Sequence, residues 1–409
     1  MNLSVKKKLL DDKKIPAVIL PLSYNGILFT RALHSKGVPV IGLIKSKKDC
    51  FYHTNSCEKV LCSDLYGSDS LSKLKEIGEC AVVKPVLIPT SDEGVKFILS
   101  NLNILQKYFL LNIPETNTAD LLLEKQKLYK WGKDKFLFPK TGILNTAEDL
   151  KAASDDLMFP VIIKPNYRDA NWPADLDKAT ICDDRESMLD AFEKFIAHAD
   201  SCLISEFIPG GDDHIETCHV YYNKGKIINS YTNQKIRQYP PLTGTGAYIS
   251  SKENEEIRKI TTDFFDSHIE YTGIGGIEFK KDARTGEYKI IEPFVGRPSS
   301  HFYNGLGENF NFPYIVYCHI AGMEIPNYVQ SKKIVSQLDE EFELQAFGYY
   351  LKTKEMTVWK YVKTLFTTQL FVRFSIKDPI VGLVYCFQVI GRLIKRRKRK
   401  LVRQTNQAI

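Results

Sequence analysis

The sequence predicts a protein of the α/β class, with a parallel sheet near its N-terminus followed by further helices and strands. Three observations favour this class: an early strand–helix–strand pattern, short apolar runs separated by turns, and a length of 409 residues. That length exceeds one ordinary hydrophobic core and indicates two to three domains. Apolar residues make up 44% and charged residues 26%, which is typical of a soluble globular protein.

The first elements predict a β-α-β unit. "AVILPL" is typical of a buried strand, "ILFTRALHSKG" of a helix and "VPVIGLI" of a second strand. The unit spans about thirty residues, as a parallel pair with a crossover helix requires. Only one glycine, Gly26, lies in the first turn, so a structural glycine is favoured over a dinucleotide site. Lysines precede "AVILPL" as in a signal peptide, but Asp11, Asp12 and two prolines interrupt the run and favour a buried strand over export.

The later elements follow from the same reasoning. "AVVKPVLIPTSDEG" predicts one or two strands and a helix from about Ser91, and the stretch from Thr118 to Leu150 predicts helices with short breaks. "FPVIIKP" predicts a strand ending at Lys164. "SCLISEF" predicts another strand, which is followed by a Pro-Gly-Gly turn and three more strands. After an amphipathic helix, "IGGIEFKKDARTGEYKIIEP" predicts a hairpin whose second strand, Lys289 to Ile291, ends on Glu292.

The net charge of +7 is concentrated in the tail. Residues 391–409 carry eight basic side chains and no acidic one, which leaves the other residues at −1. This distribution argues against nucleic acid as a partner and for one local anionic partner. Residues 379–403 predict an amphipathic helix with a basic end. Two alternatives stay open: the helix lies in a membrane interface, or it packs on the body of the protein.

The cysteines predict a compartment. Nine are scattered along the chain without a C-x-x-C pair, which indicates a reducing cytosol rather than a disulfide framework or a zinc site. No segment approaches the roughly 20 apolar residues that span a bilayer. The expected localisation is cytoplasmic. The basic tail adds one alternative, in which the protein is attached peripherally to the inner face of the cell membrane.

Three features indicate chemistry. Lys164 ends an apolar strand and needs an anion, either a nucleotide phosphate or an internal carboxylate. "SEFIPGGDDH" places Glu206 before a tight hinge with an apolar slot, although a plain turn with an acidic tip has the same pattern. Glu278 and Glu292 lie on the two strands of one hairpin, so their carboxylates can face one cavity. Two carboxylates that close repel each other unless a cation or a proton lies between them, and of the cations Mg²⁺ suits hard oxygen ligands.

This order of lysine, lysine, hinge, Glu and Glu-x-x-x-x-Arg resembles the ATP-grasp superfamily of carboxylate–amine ligases over roughly residues 15–325. The resemblance implies an N-terminal α/β domain and two lobes that clasp ATP. It divides the chain into an N-terminal domain, a small lobe with a phosphate loop, a large lobe with the Mg²⁺–ATP and substrate site, and a C-terminal extension; the ranges are 1–115, 116–205, 206–330 and 331–409.

The resemblance also implies site residues. The phosphate-binding lysines are Lys125 and Lys164, with Lys178 on the closing loop 166–178. The adenine hinge is Glu206, Phe207 and Ile208, with His214 toward the ribose. Glu278 and Glu292 would hold Mg²⁺, and Arg297 would face the transferred phosphate or the acyl phosphate. Lys235, Arg237 and the loop "TGTG" would line the carboxylate and amine sites. Phe294 stands where the superfamily usually has asparagine.

The implied activity is amide formation through an acyl phosphate, with ATP and Mg²⁺ as cofactors and small carboxylates and amines as substrates. "KIRQYPPLTGTGAYIS" and "IEPFVGRP" are most similar to D-aspartate ligases and to ATP-grasp proteins of surface-polysaccharide clusters, which predicts a cell-envelope or exopolysaccharide precursor. One alternative is a cytosolic ligase for a soluble metabolite. Another, which Phe294 favours, is a catalytically weak nucleotide-binding scaffold at a membrane. Dimers are common in the superfamily, so a homodimer is a further expectation.

Overall fold

The computed structural model describes residues 3–11, 13–166, 172–173, 176–266 and 270–407. The strands are β1 Ala17–Leu20, β2 Val40–Ile44, β3 Glu58–Leu61, β4 Val86–Pro89, β5 Thr141–Leu144, β6 Val161–Pro165, β7 Thr180–Cys182, β8 Cys202–Glu206, β9 Ile215–Asn223, β10 Lys226–Tyr239, β11 Thr245–Ser251, β12 Gly273–Lys281, β13 Tyr288–Val295, β14 Ser336–Leu338 and β15 Leu370–Phe371.

The helices alternate with these strands. They are α1 Leu3–Leu9, α2 Tyr24–His34, α3 Ser68–Cys80, α4 Asp92–Ser100, α5 Leu102–Leu105, α6 Thr116–Leu123, α7 Lys125–Gly132, α8 Ala147–Asp156, α9 Arg185–Ile196, α10 Glu255–Asp266, α11 Phe312–Ile320, α12 Glu340–Lys352, α13 Val358–Thr367 and α14 Pro379–Gln407. Short 3₁₀ turns cover Cys50–His53, Asp212–His214 and Ser300–Glu308.

The chain divides into two compact units. The first combines residues 1–111 with 317–324 and 370–409, and the second combines 112–316 with 325–369. The grouping of the C-terminal residues with the N-terminal ones is a feature that the sequence analysis does not predict. The division of the second unit into a small and a large lobe stays a prediction.

The first unit contains the predicted parallel sheet. Its order is β3-β2-β1-β4, and all three pairs are parallel. The predicted β-α-β unit is therefore confirmed, with helix α2 as its crossover. Strand β1 is buried along its whole length, as a strand covered on both faces must be. The side chain of Ser91 caps α4 by accepting the Gly94 N–H at 3.0 Å, where the helix was expected to begin.

The second unit contains two sheets. The small sheet has the order β5-β8-β6-β7 and its pairs are antiparallel. The prediction of helices with short breaks from Thr118 to Leu150 was wrong for "TGIL", which forms strand β5 and pairs with β8. The large sheet contains, in order, β13, β12, β9, β10, β11 and β14. Helix α10 buries Ile257, Phe264 and Phe265 against one face of this sheet and leaves the other face to carry polar side chains.

One buried carboxylate, Asp378, fixes the start of helix α14 within the first unit. Asp378 is 1% exposed and precedes the helix. It accepts hydrogen bonds from Arg31 Nε at 2.9 Å, Thr54 Oγ1 at 2.6 Å and the Asn55 N–H at 3.0 Å. Arg31 NH2 lies 2.8 Å from the same carboxylate. Since both ions are buried, each depends on the other to offset its lost hydration.

The far face of α14 stays exposed. Val381 and Tyr385 are buried, and Gln388 Nε2 donates to the Lys48 carbonyl at 2.7 Å, so the first turns pack on the body. The large apolar residues of α14 that are exposed, by 49–74%, are Ile380, Leu383, Phe387, Ile390, Leu393 and Ile394. Among the residues that the structure describes, no helix has the length and apolar content to cross a membrane.

The Asp378 carboxylate gives a first prediction. Asp378→Ala leaves the buried Arg31 unpaired, and we expect a loss of about 3–5 kcal/mol in the free energy of unfolding of the first unit. The matched control is Glu58→Ala, which breaks a solvent-accessible pair with Lys8 at 3.9 Å in the same unit and should cost about 0–1 kcal/mol. Chemical denaturation of the three proteins measures both changes. Equal, small losses would show that the Asp378 cluster does not hold the unit together.

Candidate nucleotide and metal site

The predicted carboxylates lie directly opposite each other. Strands β12 and β13 are antiparallel, and their register pairs Glu278 with Glu292. The Glu278 side chain is 20% exposed, and Glu292 is exposed. Side chains that oppose each other in a sheet point to the same face. The hairpin prediction is thus confirmed, and the two carboxylates share the polar face of the large sheet.

One expectation about β13 was wrong. The strand does not end on Glu292 but continues through Pro293 to Val295. The strand tolerates Pro293 because β13 lies at the edge of the large sheet. On the open side of an edge strand, the missing proline N–H does not leave a neighbouring strand without a hydrogen-bond donor. A register shift follows the Glu278–Glu292 pair, so that Phe279 pairs with Ile290 and Lys280 with Lys289. This bulge puts Lys289 and Glu292, three residues apart, on one face.

Lys235 lies beside the carboxylates. It is 3% exposed on β10, and its Nζ lies 2.8 Å from Glu278 Oε2. The ammonium also lies 3.3 Å from the carbonyl oxygen of Gly244 in the predicted "TGTG" loop and 3.4 Å from Gln238 Oε1. A side chain at Gly244 would lie 2.0 Å from the Tyr239 backbone, so the loop can fold this closely over Lys235 only with glycine there.

The hinge carries an ion network. At the end of β8, Glu206 accepts from Lys289 Nζ at 2.5 Å and from the Lys140 N–H at 3.0 Å. Burial acts to raise the pKa of Glu206, but these donors outweigh it and leave the pKa below its usual value. Arg284 lies 3.6 Å from the same carboxylate. The Glu206 side chain is therefore bound by other protein groups. The next residues of the hinge are Phe207, with its ring, and the buried Ile208.

Lys280 is a buried residue of this face that the sequence pattern did not predict. This residue lies on β12 two positions after Glu278, is 5% exposed, and its Nζ lies 4.3 Å from the centroid of the Phe207 ring. Burial lowers the pKa of Lys280 to about 8, and the charge of Lys235 acts in the same direction, although Asp212 opposes them. Its spacing from Glu278 in a strand was the signal that could have identified it.

The two predicted phosphate-binding lysines, Lys125 and Lys164, both lie near the end of β6. Lys125 Nζ donates to the Pro165 carbonyl at 3.3 Å. Lys164 is half-buried next to that proline, and among the described residues it has no ion pair with a carboxylate. A nucleotide phosphate and an internal carboxylate both stay open as the partner of Lys164. Lys178 is exposed, and residues 167–171, 174 and 175 of the proposed closing loop lie outside the described residues.

Two predicted catalytic arginines have protein partners. Arg237 is 6% exposed, donates from Nε to Glu343 Oε1 at 2.7 Å and lies 4.4 Å from the ring centroid of Tyr248. The sequence analysis did not foresee the partner, Glu343 on α12, because it lies over a hundred residues away. Arg297 donates from NH1 to the Pro298 carbonyl at 3.3 Å and lies 6.0 Å from the Phe294 ring. Their catalytic roles stay predictions.

Phe294 belongs to a buried cluster on the polar face. Its ring centroid lies 5.0 Å from that of His219, which lies 6.4 Å from His301. The Thr217 hydroxyl lies 3.3 Å from His301 Nδ1. Burial lowers the pKa of His219 to about 3 and, together with Lys235 and His219, lowers that of His301 well below its usual value. Both imidazoles are neutral, so they add no charge beside Lys235.

The remaining predicted residues lie near the turn after the hinge. His214 Nδ1 lies 2.9 Å from Asp213 Oδ1, and its side chain is 34% exposed. Asp212 is buried and accepts from the N–H groups of Gln238 and Leu242, both at 2.9 Å, and from the Tyr350 hydroxyl. This carboxylate holds the strand end of β10 and its loop rather than facing a ligand. The role of His214 stays a prediction.

The donor set fits a hard divalent cation. Within the described part of the chain, no group of three or more His, Cys, Asp or Glu side chains is arranged to hold a metal. Glu278 and Glu292 supply carboxylate oxygens from two neighbouring strands. Mg²⁺ usually takes one or two carboxylates and completes its shell with water and phosphate oxygens. Two carboxylates near several lysines therefore suit Mg²⁺ bound together with a nucleotide.

Known proteins share this architecture. No family model matches the chain. The N5-carboxyaminoimidazole ribonucleotide synthetase of Thermus thermophilus aligns with a TM-score of 0.58 and 13% identity, covering 78% of this chain and 82% of that one. The chain has the ATP-grasp fold. The biotin carboxylase domain of the Hydrogenobacter thermophilus 2-oxoglutarate carboxylase, solved with MgADP, aligns with a TM-score of 0.57 and 15% identity over 78% of this chain and 72% of that one.

A curated relative agrees with the structural comparison. The D-aspartate ligase of Enterococcus faecium is 23% identical over 327 residues, which cover 69% of this chain and 76% of the relative. The resemblance to the ATP-grasp superfamily of carboxylate–amine ligases is therefore confirmed. The same alignments confirm the predicted α/β fold class.

The neutral histidines predict a pH dependence. In the unfolded chain each protonates below a pKa of about 6.5, whereas in the fold His219 stays neutral to about pH 3. The stability that neutral His219 contributes is thus present above about pH 6.5 and is lost as the pH falls toward 3, by up to about 1.4 kcal/mol per pH unit. In His219→Gln the melting temperature should fall less steeply between about pH 7 and pH 5. The exposed His34→Gln serves as the control, and parallel curves for all three proteins would contradict the buried neutral state.

Proposed function

We propose that this protein is an ATP-dependent carboxylate–amine ligase that binds Mg²⁺ and ATP on the polar face of the large sheet. The observation that carries the proposal is the register that pairs Glu278 with Glu292 beside buried Lys235. A metal-bound triphosphate needs hard oxygen ligands for the cation and positive charge for the phosphates. The hinge with Phe207 supplies an apolar surface for a base, and Lys125 and Lys164 supply further positive charge at the end of β6.

The reaction follows from these parts. MgATP would supply the transferable γ-phosphoryl group. A substrate carboxylate oxygen bonds to that phosphorus as ADP leaves, and an amine nitrogen then displaces phosphate from the acyl carbon and loses a proton. Phosphoryl transfer depends on alignment and charge neutralisation more than on acid–base groups. Glu278 and Glu292 would hold the cation, while the lysines and Arg297 would neutralise and align the phosphates.

The Lys235–Glu278 contact prepares the site. Opposed residues in a sheet have Cβ atoms about 4.5–5.5 Å apart, so without a neighbouring positive charge the carboxylates of Glu278 and Glu292 would repel each other. Lys235 at 2.8 Å offsets the charge of Glu278 and fixes its direction. The Lys235 ammonium also donates to the Gly244 carbonyl and to Gln238 Oε1. These contacts would keep Lys235 in place when a cation binds the Glu278 carboxylate. The cation site is therefore organised before nucleotide binds.

The proposed substrate is a cell-envelope or exopolysaccharide precursor. Supporting this are the D-aspartate ligase relative and the exposed apolar face of α14, which continues into a strongly basic end. An apolar helix face beside a basic run suits an anionic lipid surface. The alternative, a cytosolic ligase for a soluble metabolite, is favoured by the packing of Val381 and Tyr385 on the body. The scaffold alternative is favoured by Phe294, whose buried ring offers no ligand to a metal.

The first test is amine-dependent ADP release. We expect release with at least one carboxylate–amine pair from a panel that includes D-aspartate, and we expect Glu292→Gln to lower it by at least about a hundredfold because the cation loses a charged ligand. Glu287→Gln, an exposed change in the loop of the same hairpin, should leave the rate unchanged. Normal turnover in Glu292→Gln would refute the metal assignment. Nucleotide binding without ADP release from any pair would favour the scaffold.

The second test concerns the helix face. The full-length protein should cosediment with phosphatidylglycerol-containing vesicles and not with phosphatidylcholine vesicles, since each basic residue near an anionic surface contributes about 1 kcal/mol. Phe387→Glu should reduce the bound fraction severalfold because it places a charge on the exposed face. Val82→Glu, at another exposed apolar site of the same unit, is the matched control. Equal binding by both variants would refute the membrane role of α14.

A further inference from the structure

Lys280 differs from the other buried lysines. In the part of the chain that the structure describes, three lysines are buried: Lys235, Lys280 and Lys289. Lys235 lies against Glu278, and Lys289 lies 2.5 Å from Glu206 and 3.8 Å from Asp282. Among the described residues, no hydrogen bond or ion pair engages the Lys280 ammonium. The ammonium lies against the face of the Phe207 ring.

The carboxylates near Lys280 are engaged elsewhere. Asp212 accepts from backbone N–H groups and from the Tyr350 hydroxyl. Asp282 accepts from Arg284 Nε at 3.0 Å and NH2 at 2.7 Å. Lys280 also lies directly opposite Lys289 in the sheet register, which adds a like charge. A buried ammonium without an anion is unfavourable, because a ring face replaces only part of its lost hydration. An anionic ligand would supply the missing partner.

The position of Lys280 indicates which part of a nucleotide it meets. Along β12 it is two residues from Glu278, and its ammonium reaches the hinge ring of Phe207. Glu278 marks the cation and hence the terminal phosphates, whereas Phe207 marks the base. The anionic group of a nucleoside triphosphate that lies between these ends is the phosphate attached to the ribose.

Resting on the proposed function, we propose that Lys280 is a nucleotide-binding residue that contacts the phosphate nearest the base, in addition to the lysines of the small lobe. It makes affinity depend on that phosphate rather than on the base alone. The Lys280 ammonium, which lies beside the apolar slot of the hinge, would then make the site prefer nucleotides to nucleosides.

The experiment compares adenosine, AMP and MgADP by calorimetry on the full-length protein. Lys280→Met keeps the length of the stem and removes the charge. It should weaken AMP and MgADP binding at least about tenfold, as expected for a lost charge-assisted hydrogen bond, and should change adenosine binding less than about twofold. The matched control is Lys281→Met, because Lys281 is the next residue, points to the opposite face and lies 5.1 Å from the Tyr288 ring centroid. It should bind all three ligands as the wild type does.

The outcomes separate the two proposals. If wild-type protein binds none of the three ligands, the proposed function fails. If wild type binds and Lys280→Met binds AMP equally well, or loses adenosine and AMP equally, the role of Lys280 is overturned. Should Lys280→Met fail to fold, acetylation of the wild-type protein followed by peptide mass spectrometry decides. AMP must protect Lys280 more than adenosine does, and equal labelling with both ligands overturns the proposal.

Discussion

The register between β12 and β13 determines which side chains can meet at the candidate site. Pairing Glu278 with Glu292 fixes the only two carboxylates that the proposed cation needs, and the bulge that follows turns Lys289 toward the same face. A shift of one residue would exchange Glu278 for the buried Ile277 or Phe279. The core behind the sheet prevents such a shift, since Ile277 and Phe279 are both fully buried. Packing on one face of the sheet thus determines which side chains lie together on the other face.

Some charged side chains of the site are paired with each other, and others are not. Lys289 is offset by Glu206, Lys235 by Glu278, and Arg237 by Glu343, each within 2.8 Å. Glu292 is exposed, and neither Lys280 nor Lys164 has a carboxylate partner among the described residues, so the proposed ligand would meet groups of both signs. A cation with a bound phosphate satisfies both at once. This complementarity is the physical reason for preferring a metal–nucleotide complex to either ion alone.

Local patterns predicted much of this architecture. Apolar runs of four or five residues identified β1, β2 and β4, and the hairpin pattern identified the Glu278–Glu292 pair, because these depend on neighbours in sequence. Strand β5 was missed because four residues with a glycine have no clear period. Glu343 and Asp378 were missed as partners of Arg237 and Arg31, since their contacts join residues 106 and 347 positions apart. Lys280 was missed because an apolar strand with several lysines does not reveal which lysine lacks a partner.

The most direct test of the account is the position of the cation. A crystal of the protein grown with a non-hydrolysable ATP analogue and Mn²⁺ in place of Mg²⁺ would show the metal by its anomalous scattering. The account predicts a peak bonded to both Glu278 and Glu292, with the base against Phe207 and phosphate oxygens on the side of Lys280. A metal peak or a nucleotide bound away from the Glu278–Glu292 pair would contradict it.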